Sequence, residues 1–319
     1  MGNFFKSIFA SEPINPEEEK KKEDDKNFEI FKYDGIRAQN MGQLDYSQKC
    51  FREALAIRED EEVENHLAQA LSVQGKLEEA FDVYNHIVEL YPDKDVYFLS
   101  LANICFLLDR YGEMLEATTK AIAIENQNPG AFFLQGRAHH GLKDNVMAIA
   151  DLTQAITLKE DYTEALLLRA DVLITMGQYP EAEKDIDVVL SQNESDEDAL
   201  RLKGKLLKSL GETDKAEVVF RELIETDPFN QQAYLTLGQM LIEEKRIEDA
   251  ISLFNDAIEI NPNFAEAYHE RGKAKLLAGD EAGSIEDGKK AMELEPQEAD
   301  ISGQFESQQK KPINILGID

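Results

Sequence analysis

Between Gln231 and Pro262 the chain reads QQAYLTLGQMLIEEKRIEDAISLFNDAIEINP, with apolar residues at helical intervals. Numbered so that Tyr234 is position 4, Leu237, Gly238 and Leu241 fall at positions 7, 8 and 11. That spacing predicts one buried face on a first helix. Ala250, Phe254 and Ala257, at positions 20, 24 and 27, predict a second amphipathic helix. Position 32 is Pro262, which cannot continue a helix and closes the second one. Position 15 carries Gly42, Gly75, Gly177, Gly211 and Gly279 in other parts of the chain. Glycine there supplies the left-handed backbone that ends a first helix.

The same pattern follows at once in NFAEAYHERGKAKLLAGDEAGSIEDGKKAMELEP, which ends at Pro296. Pro228, Pro262 and Pro296 are 34 residues apart, and Pro92 is in phase with them. Asn126, Glu160 and Glu194 occupy the intervening steps. Ala68, Ala102, Gly136, Ala170, Gly204, Gly238 and Gly272 keep the same stride, with Gly35 one residue short of it. A fixed period of this length marks a repeat architecture. Small residues at position 8, and Ala80, Ala148, Ala182, Ala216 and Ala250 at position 20, let two antiparallel helices approach closely. Such a hairpin cannot bury its own apolar face and must stack on its neighbours.

The pattern of an aromatic at 4, Leu-Gly at 7 and 8, Ala at 20, Phe or Tyr at 24, Ala at 27 and Pro at 32 resembles the tetratricopeptide repeat. Eight copies start near Phe28, Glu61, Asp95, Pro129, Thr163, Glu197, Gln231 and Ala265. The resemblance implies an all-α, right-handed superhelical solenoid of antiparallel helix hairpins. It divides the chain into an N-terminal amphipathic segment with a charged linker (1–27), the array (28–298), and a short capping helix with a tail (299–319). Repeat 2 departs from the pattern, with Glu64 at the aromatic position. Gln135, Arg169, Lys203 and Arg271 stand at position 7 of repeats 4, 5, 6 and 8. Their long stems are expected to cover apolar surface while their heads reach water.

Charge narrows the partners. There are 64 acidic residues against 34 basic, a formal net charge of −30, which opposes binding to nucleic-acid phosphates. Much of the acid falls on solvated faces of the second helices. The two cysteines, Cys50 and Cys105, have no partner at metal-ligand spacing, as expected for a reduced, cytoplasmic setting. No phosphate-binding loop, dinucleotide glycine run, His-Glu-x-x-His or Cys-x-x-Cys is present. His139-His140 is the one histidine cluster, and the phase separates the two rings. The expectation is therefore a non-enzyme without catalytic, cofactor-binding or metal residues, acting as a protein-interaction scaffold.

The resemblance places ligand contacts on the first helices, at positions 2, 5, 9, 12 and 13 of a concave groove. In repeats 1 and 2 these are mostly polar: Glu29, Lys32, Gln39, Glu62, Asn65 and Gln69. The peptide-binding candidates lie further along: Leu99, Asn103, Phe106, Phe133, Arg137, His140, Leu167 and Asp171, with Leu107 and Ile174 beside them. Repeat 6 adds the basic Arg201, Lys205 and Lys208. An apolar floor with a few polar groups suits a peptide or protein segment. Packing between adjoining helices is the competing reading for Phe106, Leu107 and Ile174. A carboxylate clamp of the kind some family members use needs Lys and Asn on repeat 1. Here Lys32 is followed by Ile36, His66, Val96 and Ser100, so that clamp is not expected.

Both ends carry further signals. MGNFFKSIFASEP sets Phe4, Phe5, Ile8 and Phe9 on one helical face, too short and interrupted for a secretory signal or a membrane span. A docking segment is one reading. A membrane-surface assembly factor recruited through these residues is the alternative function. ADISGQFESQQKK sets Ile301 and Phe305 four apart, as a cap on repeat 8 needs. Oligomeric state and the identity of the partner stay open.

Overall fold

The structure, a computed structural model, describes residues 16–294. Phe4, Phe5, Ile8 and Phe9, and also Ile301 and Phe305, lie outside the described residues. Sixteen helices and no strand occur among those described. The first helices of the repeats are α1 (Pro16–Asn40), α3 (Glu61–Val73), α5 (Asp95–Leu107), α7 (Pro129–Gly141), α9 (Thr163–Thr175), α11 (Glu197–Ser209), α13 (Gln231–Glu243) and α15 (Ala265–Leu277). The second helices are α2 (Leu44–Ile57), α4 (Leu77–Leu90), α6 (Tyr111–Ile124), α8 (Asn145–Leu158), α10 (Tyr179–Gln192), α12 (Thr213–Thr226), α14 (Ile247–Ile260) and α16 (Glu281–Leu294). The sixteen helices fit the eight repeats expected from the period, and from repeat 2 onward each repeat starts at the residue the phase names.

The helices belong to two compact units, divided between Leu142 and Lys143. In the first, each helix packs on the next from α1 to α7. Its core runs through Phe28, Phe51, Leu67, Leu71, Tyr84, Phe98 and Met114. In the second, packing runs stepwise from α8 to α16. Its core holds Leu166, Leu173, Ile186 and Leu202, then Phe220, Tyr234, Leu237, Phe254 and Phe264. Each unit is an all-α stack in which three-residue turns join the two helices of a hairpin.

What sets the helix spacing inside a hairpin is a ring. A Cβ on Gly35 or Gly204 would lie 2.5 Å from the ring of Phe51 or Phe220, and one on Gly238 would overlap Phe254. Position 24 therefore fills the gap that glycine leaves at position 8. The sequence suggested that Gly238 faces Ala250; Ala250 is fully buried, but the near neighbour is Phe254. Periodicity assigns both residues to the inner face and does not say which one meets the glycine.

The turns share one backbone device. Gly42, Gly75, Gly177, Gly211 and Gly279 have φ between +72° and +87°. The same left-handed conformation is held at position 15 by Asp109, Lys143 and Lys245, residues that lack glycine's freedom. The next amide then reaches back five residues, as in Lys76 N–H to Leu71 O (3.0 Å) and Arg246 N–H to Leu241 O (2.8 Å).

Two expectations need correction. The heads of Arg169 and Arg271 are not simply solvated. Each donates two hydrogen bonds to a buried carboxylate at position 23 of its own hairpin: Arg169 to Asp185 (2.8 and 2.7 Å), and Arg271 to Asp287 (2.9 and 2.6 Å). A third bond reaches position 25 of the preceding hairpin, from Arg169 to Thr153 (2.9 Å) and from Arg271 to Asn255 (2.7 Å). Gln135 reaches Thr119 in the same way (3.1 Å). Position 7 thus stitches one hairpin to the one before it. Burial alone would raise the Asp287 carboxyl, but bonds from Arg271 and Lys275 hold it below the ordinary range. Second, residues 16–27 are helical and continue into the first helix of repeat 1. Glu17 and Glu18 stand four residues before Lys21 and Lys22, the orientation that supports a helix, and acid fills the first turn.

Two predictions follow from these contacts. Gly238→Leu overpacks the ring and should cost about 1–3 kcal/mol. In a double-mutant cycle by urea unfolding, Phe254→Ala should recover part of that loss, whereas a cycle without coupling would leave the ring unconnected to the glycine. Arg271→Met leaves the buried Asp287 carboxylate with Lys275 alone and should cost about 1.5–3 kcal/mol at neutral pH. Because the folded carboxyl is depressed, that stabilisation is present above the unfolded value of about 3.9 and is lost as pH falls through the lower folded value. The gap between variant and wild type should therefore narrow in acid, as read by denaturation across pH.

Candidate functional site

The ten groove candidates fall in two sets, one per unit. Leu99, Asn103 and Phe106 lie on α5, with Phe133, Arg137 and His140 on α7. Leu167 and Asp171 lie on α9, with Arg201 and Lys205 on α11. All ten are half-buried. Successive first helices touch within each unit, α5 against α7 and α9 against α11, so each set forms one surface. Ile174 is buried in the second unit's core, which assigns it to packing.

In the first unit the surface is aromatic and cationic. The Arg137 guanidinium lies 3.5 Å from the centre of the Phe106 ring and 5.4 Å from that of Phe133. Phe106 also meets Tyr111 edge to face at 6.3 Å, and Tyr111 donates to Asp109 (2.8 Å). Leu99, Phe106, Leu107 and Phe133 rest against the unit's core on their inner sides. These side chains therefore pack between repeats and still present part of their surface. Arg137 is held at two rings by cation–π attraction, worth about 0.5–1 kcal/mol where partly exposed.

In the second unit the basic residues are met by the chain's own acids. Lys205 pairs with Asp171 (2.6 Å), 34 residues away at the same position of the preceding repeat. Arg201 approaches Asp198 (3.4 Å), and Lys208 approaches Glu243 (3.1 Å). The basic patch expected on repeat 6 is thus internally balanced.

The polar positions Lys32, Glu62 and Asn65 named from the sequence join Asp60, Glu61 and Tyr97, which were not, in a polar recess on repeats 1 to 3. Lys32, Asp60, Glu61, Glu62, Asn65 and Tyr97 line a volume of about 290 Å³. Lys32 bridges Asp60 (3.1 Å) and Glu62 (2.6 Å). Tyr97 donates to Glu61 (2.6 Å), and burial together with that bond holds its hydroxyl proton above the ordinary range. Gln39 meets His66 (2.8 Å), whose ring stacks on Phe51. The polar residues of repeats 1 and 2 largely satisfy one another. Acidic residues at the junction of one repeat and the next were the available signal, but abundance of acid hid it.

No group of three or more His, Cys, Asp or Glu able to hold a metal ion occurs among the described residues. Cys50 and Cys105 are both buried and free, and burial pushes the Cys105 thiol up to about 12. No described helix is long and apolar enough to cross a membrane.

Comparison with known proteins agrees with the geometry. A family model described as tetratricopeptide repeat matches residues 140–206 and 207–276. The chain carries tetratricopeptide repeats. Its fold is similar to that of a tetratricopeptide repeat protein from Parabacteroides merdae, at 21% identity and TM-score 0.62, over 75% of this chain and 94% of that one. Pseudomonas aeruginosa pilF is similar at 16% identity and TM-score 0.56, over 69% and 99%. A chain of the APC/C hetero-tetramer Cut9–Hcn1 is similar at 15% identity and TM-score 0.55, over 80% and 51%. No curated protein matches the sequence. The tetratricopeptide fold supports a role as a protein–protein interaction scaffold.

The half-buried pair of Lys205 and Asp171 should contribute little. A double-mutant cycle of Lys205→Ala and Asp171→Ala should give a coupling below about 1 kcal/mol. The coupling should vanish in 1 M salt, where screening acts within about 3 Å. A larger, salt-resistant coupling would show the pair to be a structural bond.

Proposed function

We propose that the chain is a non-enzymatic scaffold that takes an extended or helical peptide segment on the first-helix surface of repeats 3 and 4. The observation that carries this is the Phe106–Arg137–Phe133 cluster, a partly open aromatic floor with a guanidinium set upon it. Apolar anchors of a ligand would rest on the rings, and its carbonyls or carboxylates would meet Arg137 and Asn103. Leu167, Asp171, Arg201 and Lys205 would form the corresponding surface of repeats 5 and 6. There a ligand acid would have to compete with Asp171 for Lys205. The fold is that of an interaction module, and the Cut9–Hcn1 assembly, whose chain shares it, is a complex of two proteins.

The test is a displayed random-peptide library selected on the full chain. Retained peptides should bind Phe133→Ala and Arg137→Ala at least tenfold more weakly, as anchor residues in such interfaces do. Val218→Ala, at an exposed site on α12, should bind them like wild type. Selection of peptides indifferent to Phe133 and Arg137 would mean that the cluster serves packing alone and that recognition lies elsewhere.

A further inference from the structure

The junction of repeats 2 and 3 lacks a device that other junctions share. Elsewhere a polar side chain at position 7 reaches position 25 of the preceding repeat: Arg169 reaches Thr153, Arg271 reaches Asn255, and Gln135 reaches Thr119. In repeat 3, position 7 is Leu101 and position 23 is Ala117. Neither is long enough to meet the position-25 residue, Asn85. Position 7 is also leucine in repeat 7, but there position 23 is the larger, buried Leu253. The short pair in repeat 3 leaves a recess of about 100 Å³ between α4, α5 and α6, inside the first unit. Val88, Phe98, Leu101 and Ala117 form its apolar floor, with Asn85 at its side.

The charges around the recess favour a cation. Glu113 and Glu116 both line it. Arg110 approaches Glu113 at 3.7 Å, whereas among the described residues no hydrogen bond or ion pair engages Glu116 or the Asn85 side chain. The rings here already draw cations of the chain itself. The Lys120 ammonium lies 5.6 Å from the centre of the Phe98 ring, and the Arg110 guanidinium lies 4.5 Å from that of Phe81. The corresponding place in repeat 8 shows what fits. There the Arg271 stem crosses the hairpin, and its head meets the Asp287 carboxylate and the side-chain oxygen of Asn255. In repeat 3 an asparagine and a carboxylate are present and the guanidinium is not supplied by position 7.

We propose that this recess takes an arginine side chain from a basic segment of another protein. The stem lies against Phe98 and Leu101, and the guanidinium donates to the Asn85 side-chain oxygen and the Glu116 carboxylate. Arginine suits the place better than lysine, because its planar fork serves two acceptors at once. Lys120 is exposed on α6, and its flexible stem lets it give way. The net charge of −30 steers basic segments toward the chain, an attraction that salt screens. The site uses the second helices α4 and α6 and does not depend on the surface proposed for the first helices of repeats 3 and 4.

The experiment is methyl-resolved NMR on the full chain, titrated with N-acetyl-arginine amide, its neutral citrulline analogue and N-acetyl-leucine amide. The arginine amide should shift the methyls of Val88, Leu101 and Ala117 saturably, with a dissociation constant in the millimolar range for a ligand of that size. The citrulline and leucine amides should bind about tenfold more weakly, and Glu116→Gln should weaken the arginine amide to a similar degree. Leu101→Arg with Ala117→Asp rebuilds the pair of repeats 5 and 8 and should abolish the response at Val88, with a melting temperature showing that the variant is folded. If that variant does not fold, Glu116→Gln decides. Three results would overturn the proposal. One is the absence of a saturable shift at those methyls. Another is equal affinity for the citrulline or leucine amide, which would make the recess a pocket for uncharged groups. The third is a response confined to Leu99 and Leu107, which would place the cation on the first-helix surface instead.

Discussion

A hairpin of two short helices can bury one face of each helix against the other and no more. The rest of its apolar surface must go to neighbours, so the distance at which helices approach is the constraint on which the whole array depends. That distance is set where position 8 meets position 24. Glycine at 35, 204 and 238 makes room for the rings of Phe51, Phe220 and Phe254. Alanine at position 8 meets the smaller Thr118 and Ile186 in the repeats of Ala102 and Ala170, whereas in repeat 2 Ala68 shares its hairpin with the buried Tyr84, so the glycine–ring pair is one of several ways to set the spacing. Fixing that gap fixes the surface offered to the next hairpin.

Charge acts under this constraint rather than beside it. Of 64 acidic residues, few are buried, and Asp185 and Asp287 are buried only where an Arg forks onto both oxygens. A buried carboxylate without that partner would be costly, so the pair favours one stacking register. Glu64 shows the other outcome. It takes an aromatic's place, meets only His86 at 3.3 Å, and burial raises its carboxyl. The acidic excess behind the net charge of −30 sits mainly on solvated faces and does not choose the fold.

The period made the hairpins legible, because a helix of fixed phase exposes the same positions each time. From α3 to α15 the starts of the first helices coincide with the phase read from proline and glycine. Periodicity tells which residues point inward; it does not tell which of two inward residues meets a third. Hence Phe254 rather than Ala250 fills the space at Gly238, and Arg169 and Arg271 find buried acids. The helix at 16–27 was legible only as charge, since it has no apolar stripe and rests on local Glu–Lys spacing. At the candidate surface, the resemblance assigned residues to the first helices, where they are found. The pairing of Lys205 with Asp171 was hidden because it joins equal positions of two repeats, a relation invisible within one helix.

The half-burial of all ten candidate residues follows from the same geometry. Positions 5 and 9 lie at the seam between successive first helices, where a side chain is covered on one side and open on the other. A fully buried residue such as Ile174 can contribute only to stability, and a fully exposed one must be ordered from a free state when a ligand binds. A seam residue is already held by its neighbour, as Arg137 is by Phe106, so less freedom remains to be lost. Its contact with that neighbour also sets what a ligand must better. Under the proposed function, an acid arriving at Lys205 would have to compete with Asp171. Under that function, selectivity on such a surface would therefore arise from the contacts that stack the repeats.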